Sequence, residues 1–130
     1  MSSPDRKRIL IADDEPDLVR ILSILLRAMG YDIDAAPDAR TAIQMAMSSP
    51  PDLVILDVMM PGLNGYEACG KLKGDPATKH VPVLMISAKV QQADRLSGLE
   101  AGADAYLGKP FENSELLRQV RRLLGEAENA

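Results

Sequence analysis

The sequence predicts an α/β fold, a doubly wound parallel sheet between two layers of helices, and three observations carry that prediction. Short apolar runs alternate with stretches of helical period, five of each, between Arg8 and Leu124. The central run, Leu53 to Leu56 within PPDLVILDVMMPGLNG, is apolar at every position and bounded by turn residues, the pattern of a strand buried in a parallel sheet. The connections are short, and strand–helix–strand units then require parallel pairing, right-handed crossovers and helices on both faces. Sheets of this kind hold their ligands at the carboxyl ends of the strands, and the central strand delivers Asp57 to that rim.

After a polar lead-in, Arg8 to Ala12 reads as the first strand and ends in Asp13, Asp14 and Glu15. Pro16 suits the first turn of a helix, with Asp14 or Glu15 as its cap. Leu18, Ile21, Leu22, Leu25, Leu26 and Met29 recur at helical spacing as its expected inner face, and Gly30 ends it. Tyr31 to Ala36 is the second strand. Asp38 caps a second helix with Ala39, Ala42, Ile43, Ala46 and Met47 inward, closed by Ser48 to Pro51. Beyond the central strand, Tyr66 to Lys73 is the third helix, with Tyr66, Cys69 and Leu72 inward and Gly74 to Pro76 as its break. Val81 to Ile86 is the fourth strand and leads to Ser87. Gln91 to Ala101 is a weaker helix, expected to be the least firmly held because its stripe of Ala93, Leu96 and Leu99 is thin. Ala105 to Gly108 is the fifth strand and leads to Lys109 and Pro110. Leu116, Leu117, Val120, Leu123 and Leu124 make the last amphipathic helix, before a polar tail.

The 130 residues suit a single domain, 1–130 with a core of about 8–124, able to bury roughly two-thirds of the surface its unfolded chain exposes. An apolar share of 46% with 26% charged residues is that of a globular domain. The net charge of −4 argues against a nucleic-acid surface. No stretch approaches the ~18 apolar residues of a membrane span, and the first residues lack a signal-peptide core, so a cytoplasmic location is expected. The single Cys69 excludes an internal disulfide or a multi-cysteine metal site and reads as core. His80, the one histidine, is expected at the surface.

The residues just past the strands are more specific. The first strand presents Asp13 and Asp14, the third Asp57, the fourth Ser87 and the fifth Lys109, while the second offers only Ala36 and Pro37, as an edge strand would. Singly, each has an ordinary reading: an acidic helix start favoured by the dipole, a turn aspartate, a capping serine, a solvated lysine. Together they form a constellation. Two like charges ~4 Å apart cost about 4 kcal/mol at an effective dielectric of 20, so three carboxylates need a cation or must take up a proton. Lys109 brings one positive charge, and a small site of carboxylates, a backbone carbonyl and waters favours Mg²⁺. Asp57 is then a candidate nucleophile for a phosphoryl group, whose other oxygens would meet Lys109 and the Ser87 hydroxyl.

At these residues the chain resembles a known family. Asp13 with Asp14, the segment Asp57 to Gly65 (DVMMPGLNG), Ser87 with Ala88, and Tyr106 to Pro110 (YLGKP) resemble the CheY-like receiver domain of bacterial two-component response regulators, over Arg8 to about Leu124. The resemblance implies a flavodoxin-like, three-layer α/β/α fold with strand order 2-1-3-4-5. It implies that Asp57 accepts a phosphoryl group from a phosphohistidine on a sensor histidine kinase or histidine phosphotransfer protein. Asp14 would ligate Mg²⁺ (or Mn²⁺) directly, Asp13 mainly through water, and the Met59 backbone carbonyl would complete the protein ligands. Ser87 and Ala88 would contact the phosphoryl group, Lys109 would pair with it, the Lys109–Pro110 bond would be cis, and Tyr106 would follow Ser87 inward on activation. Phosphorylation would bias an existing equilibrium and remodel the face of the fourth helix, fifth strand and fifth helix, which binds or releases an output protein or fused effector. The family catalyses only its own phosphorylation and dephosphorylation.

Two positions tune the lifetime of the phosphoryl group in such proteins, here Met59 and Lys89. Neither carries a carboxylate or carboxamide to orient water, so slow self-dephosphorylation is expected. Receivers joined to winged-helix domains commonly carry an acid at the position of Ala105 and an arginine at that of Gln119, so their symmetric dimer is not expected here; a phosphorylation-dependent dimer of another kind stays open. An aspartyl-phosphate phosphatase would want its nucleophile on the first strand. A flavin binder would want a hydroxyl- and glycine-rich loop there, where Asp13, Asp14 and Glu15 would repel a phosphate.

Overall fold

The computed structural model describes residues 6–88 and 92–126. In chain order these form β1 (Arg8–Ala12), α1 (Pro16–Ala28), β2 (Asp32–Ala36), α2 (Ala39–Ser48), β3 (Leu53–Asp57), α3 (Gly65–Gly74), β4 (Val83–Ser87), α4 (Gln92–Glu100), β5 (Ala105–Gly108) and α5 (Asn113–Leu123). Every strand pair is parallel and the sheet runs β2-β1-β3-β4-β5. This is the flavodoxin-like order that the resemblance implies. No helix among the described residues is long and apolar enough to cross a membrane.

Side chains alternate across each strand, so the sheet feeds two cores. Leu53 and Ile55 of β3, with Ile9, Ile11, Leu84 and Ile86, meet Leu22 and Leu26 of α1 and Leu116 and Val120 of α5. Val54 and Leu56, with Leu10, Ala12, Val83 and Met85, meet α2 and α3 on the other face. There α2 contributes Ala39, Ala42 and Ala46, whose small side chains let that helix lie close to the sheet. Cys69 is fully buried in this second core, and burial pushes its thiol up to about 11, as suits a packing residue. His80 is exposed.

Several helix faces differ from those expected. On α1, Leu22 and Leu26 are buried and Leu18 and Leu25 flank them, but Ile21 and Met29 are 56% and 38% exposed. A stripe six residues wide exceeds what one sheet face covers, and the outermost members stay in water. Ser23 takes an inner position instead, its hydroxyl donating to the Val19 carbonyl at 2.6 Å. Met47 of α2 is exposed for the same reason. The cap of α1 is Glu15 by position, yet its side chain makes no capping bond; Asp13 accepts from the Glu15 amide at 2.9 Å. Asp38 does cap α2, accepting from the Thr41 amide at 2.7 Å.

The largest difference is α4. Leu96 and Leu99, expected inward, are 50% and 55% exposed, and Ala93 is exposed too. Among the residues of this helix whose burial is described, Gly98 is the buried one, and an added Cβ there would lie 2.8 Å from Tyr106 Cδ2 and 3.1 Å from Met85 Sδ. The helix rests on the aromatic ring of β5 through its own lack of a side chain, a contact that hydrophobic spacing does not register.

Candidate functional site

The site follows from strand register. Ala12 pairs with Leu56 and Asp57 with Ile86, so Asp13 leaves β1 beside Asp57 at the end of β3. Ser87 pairs with Gly108, so Lys109 leaves β5 at the same rim. The sheet order does the rest. β3 lies between β1 and β4, which places residues 44 positions apart side by side.

Asp13 and Asp57 are both 2% exposed, at the ends of strands whose buried residues fix their backbones. Each carboxylate is held by a local amide: Asp13 by that of Glu15, and Asp57 Oδ1 by that of Met59 at 3.2 Å. Asp14 is exposed beside them, and one oxygen from each of Asp13, Asp14 and Asp57 lies within 4.8 Å of the others. Lys109 Nζ sits against this group, 3.4 Å from Asp13 Oδ2, 3.5 Å from Asp57 Oδ2 and 3.2 Å from Glu15 Oε1. The Lys109 amide donates to the Ser87 carbonyl at 2.7 Å, which aims the lysine stem, and the Lys109–Pro110 bond is cis.

The electrostatics are those of an under-neutralised site. Burial, then the Asp13 carboxylate, push Asp57 up to about 6, against the opposing pull of the Met59 amide and Lys109. Burial lowers the affinity of Lys109 for its proton, but Asp13, Asp57 and Glu15 together outweigh it and hold the ammonium above its usual range. The clustered oxygens of Asp13, Asp14 and Asp57 fit an oxygen-preferring divalent ion such as Mg²⁺, which needs few protein ligands and keeps several waters.

Glycine shapes the turn behind Asp57. A Cβ on Gly65 would fall 2.5 Å from the Asp57 carbonyl oxygen and 2.7 Å from Val58 Cα, so only glycine lets α3 start this close to the strand end. Asn64 caps that helix, accepting from the Glu67 amide at 2.9 Å, and Gly62 takes the positive φ of 79° that turns the loop. Beside the rim a groove of about 320 Å³ opens between the start of α1 and the end of β2, lined by Asp13, Asp14, Pro16, Val19 and Pro37 among others.

The model of the response regulator receiver domain matches residues 9–121. The chain belongs to that family. It is 46% identical over 116 residues to the response regulator PleD of Caulobacter vibrioides, covering 89% of this chain and 26% of PleD. It is 42% identical to the DNA-binding response regulator MtrA of Mycolicibacterium smegmatis, over 95% of this chain and 53% of MtrA. The chain thus spans about a quarter to a half of the length of these curated relatives. Among solved structures, a response regulator from Chloroflexus aurantiacus superposes with a TM-score of 0.89 at 36% identity, over 94% of this chain and all of that one. The receiver domain of the sensor histidine kinase PA1611 from Pseudomonas aeruginosa, solved with a magnesium ion in its active-site cleft, gives 0.86 at 30% identity over 93% and 99% of the two chains.

Within this receiver the residues singled out in the sequence divide into three groups. Asp13 and Asp57 pair with Lys109, and Asp14 joins them with an oxygen within 4.8 Å of theirs. Ser87 is fully buried at the end of β4 and Ala88 is exposed just beyond it. Tyr106 stands apart on the α4 side, half-buried, with the Arg95 guanidinium 5.5 Å from its ring centre and Arg95 Nη1 donating to its carbonyl at 3.3 Å. The Met59 side chain is 56% exposed, its amide turned to Asp57. Lys89 lies outside the described residues. Glu15 was read from the sequence only as part of an acidic helix start, yet it is the carboxylate nearest Lys109. Gly98, the seat of Tyr106, left no signal in hydrophobic spacing.

Proposed function

We propose that this receiver, acting as one unit with a core of about 8–124, accepts a phosphoryl group on Asp57 with Mg²⁺ and thereby switches its α4-β5-α5 face between partner-binding states. The observation that carries this reading is the cluster of Asp13, Asp14 and Asp57 at one strand rim, with Lys109 paired to Asp13 and Asp57. The donor is a phosphohistidine on a sensor histidine kinase or phosphotransfer protein. An Asp57 carboxylate oxygen forms a bond to phosphorus as the P–N bond breaks; the electron pair returns to the ring nitrogen, and a ring protonated at its other nitrogen leaves as neutral imidazole. Asp57 must be ionised to attack, and its position near pKa 6 leaves it so at neutral pH. Lys109 offsets charge on the transferring group, Ser87 offers a hydroxyl to another phosphoryl oxygen, and the backbone at Met59 and Ala88 frames the rest. Asp13, Asp14, Asp57 and the Met59 carbonyl would hold a divalent ion, which would supply the positive charge that Lys109 alone leaves short against the carboxylates and the phosphoryl oxygens.

The receiver turns over no metabolite; its chemistry is its own phosphorylation and dephosphorylation. The output is an attached effector or a separate protein. MtrA carries the description DNA-binding and is about twice as long as this chain, so nucleic-acid contact, where the output has it, belongs to another segment. Intact mass after incubation with Mg²⁺ and phosphoramidate tests the reading. One phosphoryl group is expected on the wild type, and none on Asp57→Asn or in excess chelator. No added mass on the wild type, or equal uptake by Asp57→Asn, rejects it.

A further inference from the structure

We propose that Glu15 is a positioning residue of this site: it holds the Lys109 ammonium in the unphosphorylated receiver and releases it when a phosphoryl group arrives. The proposal rests on the reading of Asp57 as phosphoacceptor and adds a competitor for the lysine that helps to stabilise it. An ammonium has three N–H donors, and three carboxylates surround this one, with Glu15 nearest at 3.2 Å, then Asp13 at 3.4 Å and Asp57 at 3.5 Å. Their anchoring differs. The Asp13 and Asp57 side chains are 0% and 3% exposed and each also accepts a backbone amide, whereas the Glu15 side chain is 62% exposed. Glu15 also stands outside the trio of oxygens able to share a metal ion.

To reach a phosphoryl oxygen, Lys109 must give up one of its carboxylates. Once Asp57 carries the phosphoryl group, its charge lies on that group, and of the two carboxylates that remain the one on a solvated, flexible side chain is the easier to release, since giving up Asp13 would leave a buried charge without its cation. Glu15 therefore competes with the phosphoryl group for Lys109, and removing its charge strengthens retention of that group. Ion pairs with an exposed partner are weak, so the effect is about two- to fivefold.

The test is the affinity of the full chain for beryllofluoride, a non-covalent phosphoryl mimic, with saturating Mg²⁺, in the wild type, Glu15→Gln and Asp17→Asn. Asp17 lies in the first turn of the same helix with a 90% exposed side chain and pairs with Arg20, so its loss changes net charge without touching Lys109. Glu15→Gln is expected to bind about two- to fivefold tighter, and to keep most of that gain at about 0.5 M salt, where the Debye length is only a few ångströms. Any gain in Asp17→Asn vanishes there. In ligand-free protein the Lys109 Nζ resonance shifts in Glu15→Gln and not in Asp17→Asn. Wild-type binding with no gain in Glu15→Gln, a gain matched by Asp17→Asn at high salt, or an unmoved Lys109 resonance overturns the proposal alone. Absence of beryllofluoride binding in the wild type overturns the phosphoacceptor reading, and this proposal with it.

Discussion

The strand rim and the α4 flank are held in opposite ways. At the rim every residue of β3 is buried, with a paired strand on each side, and the turn after it closes so tightly that Gly65 has no room for a methyl group. Asp57 therefore has a fixed position, and like charges can be kept close at a known cost. On the flank, α4 turns Leu96 and Leu99 to solvent and rests on Tyr106 through Gly98. The carboxylate cluster sits on the over-determined part of the molecule, and Tyr106 sits where one small contact sets the packing. Burial is thus divided along the sheet, dense at its centre and thin at the α4 edge.

The sharpest way to break this comparison is Gly65→Ala. The new methyl would press on backbone atoms, which cannot swing aside, so a loss of about 2–4 kcal/mol is expected by urea denaturation, along with weaker Mg²⁺ binding. A near-neutral result would mean that the turn behind Asp57 has slack.

Next in size is the charge on Asp57. Its carboxyl titrates near 6 in the folded protein against an ordinary value of 3.8. The folded state therefore prefers the proton. The contribution of Asp57 to metal-free stability is highest below the unfolded value, falls as pH rises from about 4 to 6, and levels off above, with a total loss of about 2–3 kcal/mol. Asp57→Asn should lack this decline and so exceed the wild type in stability by that amount at pH 7, with no difference near pH 3.5. Mg²⁺ at tenfold its Kd should return about 1.4 kcal/mol to the wild type. Parallel pH curves for the two proteins would refute the assignment of the strain to Asp57.

Gly98→Ala probes the flank. Helix propensity favours alanine by about 1 kcal/mol, and crowding of the Tyr106 ring opposes it by about 1–3 kcal/mol. A net loss of about 1 kcal/mol is expected, with displaced Tyr106 ring resonances in NMR spectra. A more stable protein with Tyr106 unmoved would show that α4 is seated elsewhere. The smallest effects belong to Leu96→Ala and Leu99→Ala, each within about 0.5 kcal/mol; a cost of 2 kcal/mol or more, usual for a buried leucine, would restore the inward stripe that the spacing implied.

Much of this was legible in the chain. The apolar runs placed all five strands to within about two residues, and the residues following four of them named the rim. Helices with a full apolar face, such as α5 with Leu116 and Val120, lay as their spacing required. Spacing failed on α1, where the stripe was wider than the sheet could cover, and on α4, where the buried residue carries no side chain. Glu15 escaped notice because its partner is 94 residues away.

What sequence alone determined is therefore the set of elements and the residue types at their ends, because both follow from local periodicity and from the chemistry of single side chains. Tertiary structure decided which of those ends are neighbours. Placing β1 and β4 on either side of β3 put Asp13 and Lys109 against Asp57, and charge acts through distance in space, which no interval along the chain measures. It also decided which leucines the sheet could cover, since burial depends on the area of the opposing surface as well as on the helix that offers them.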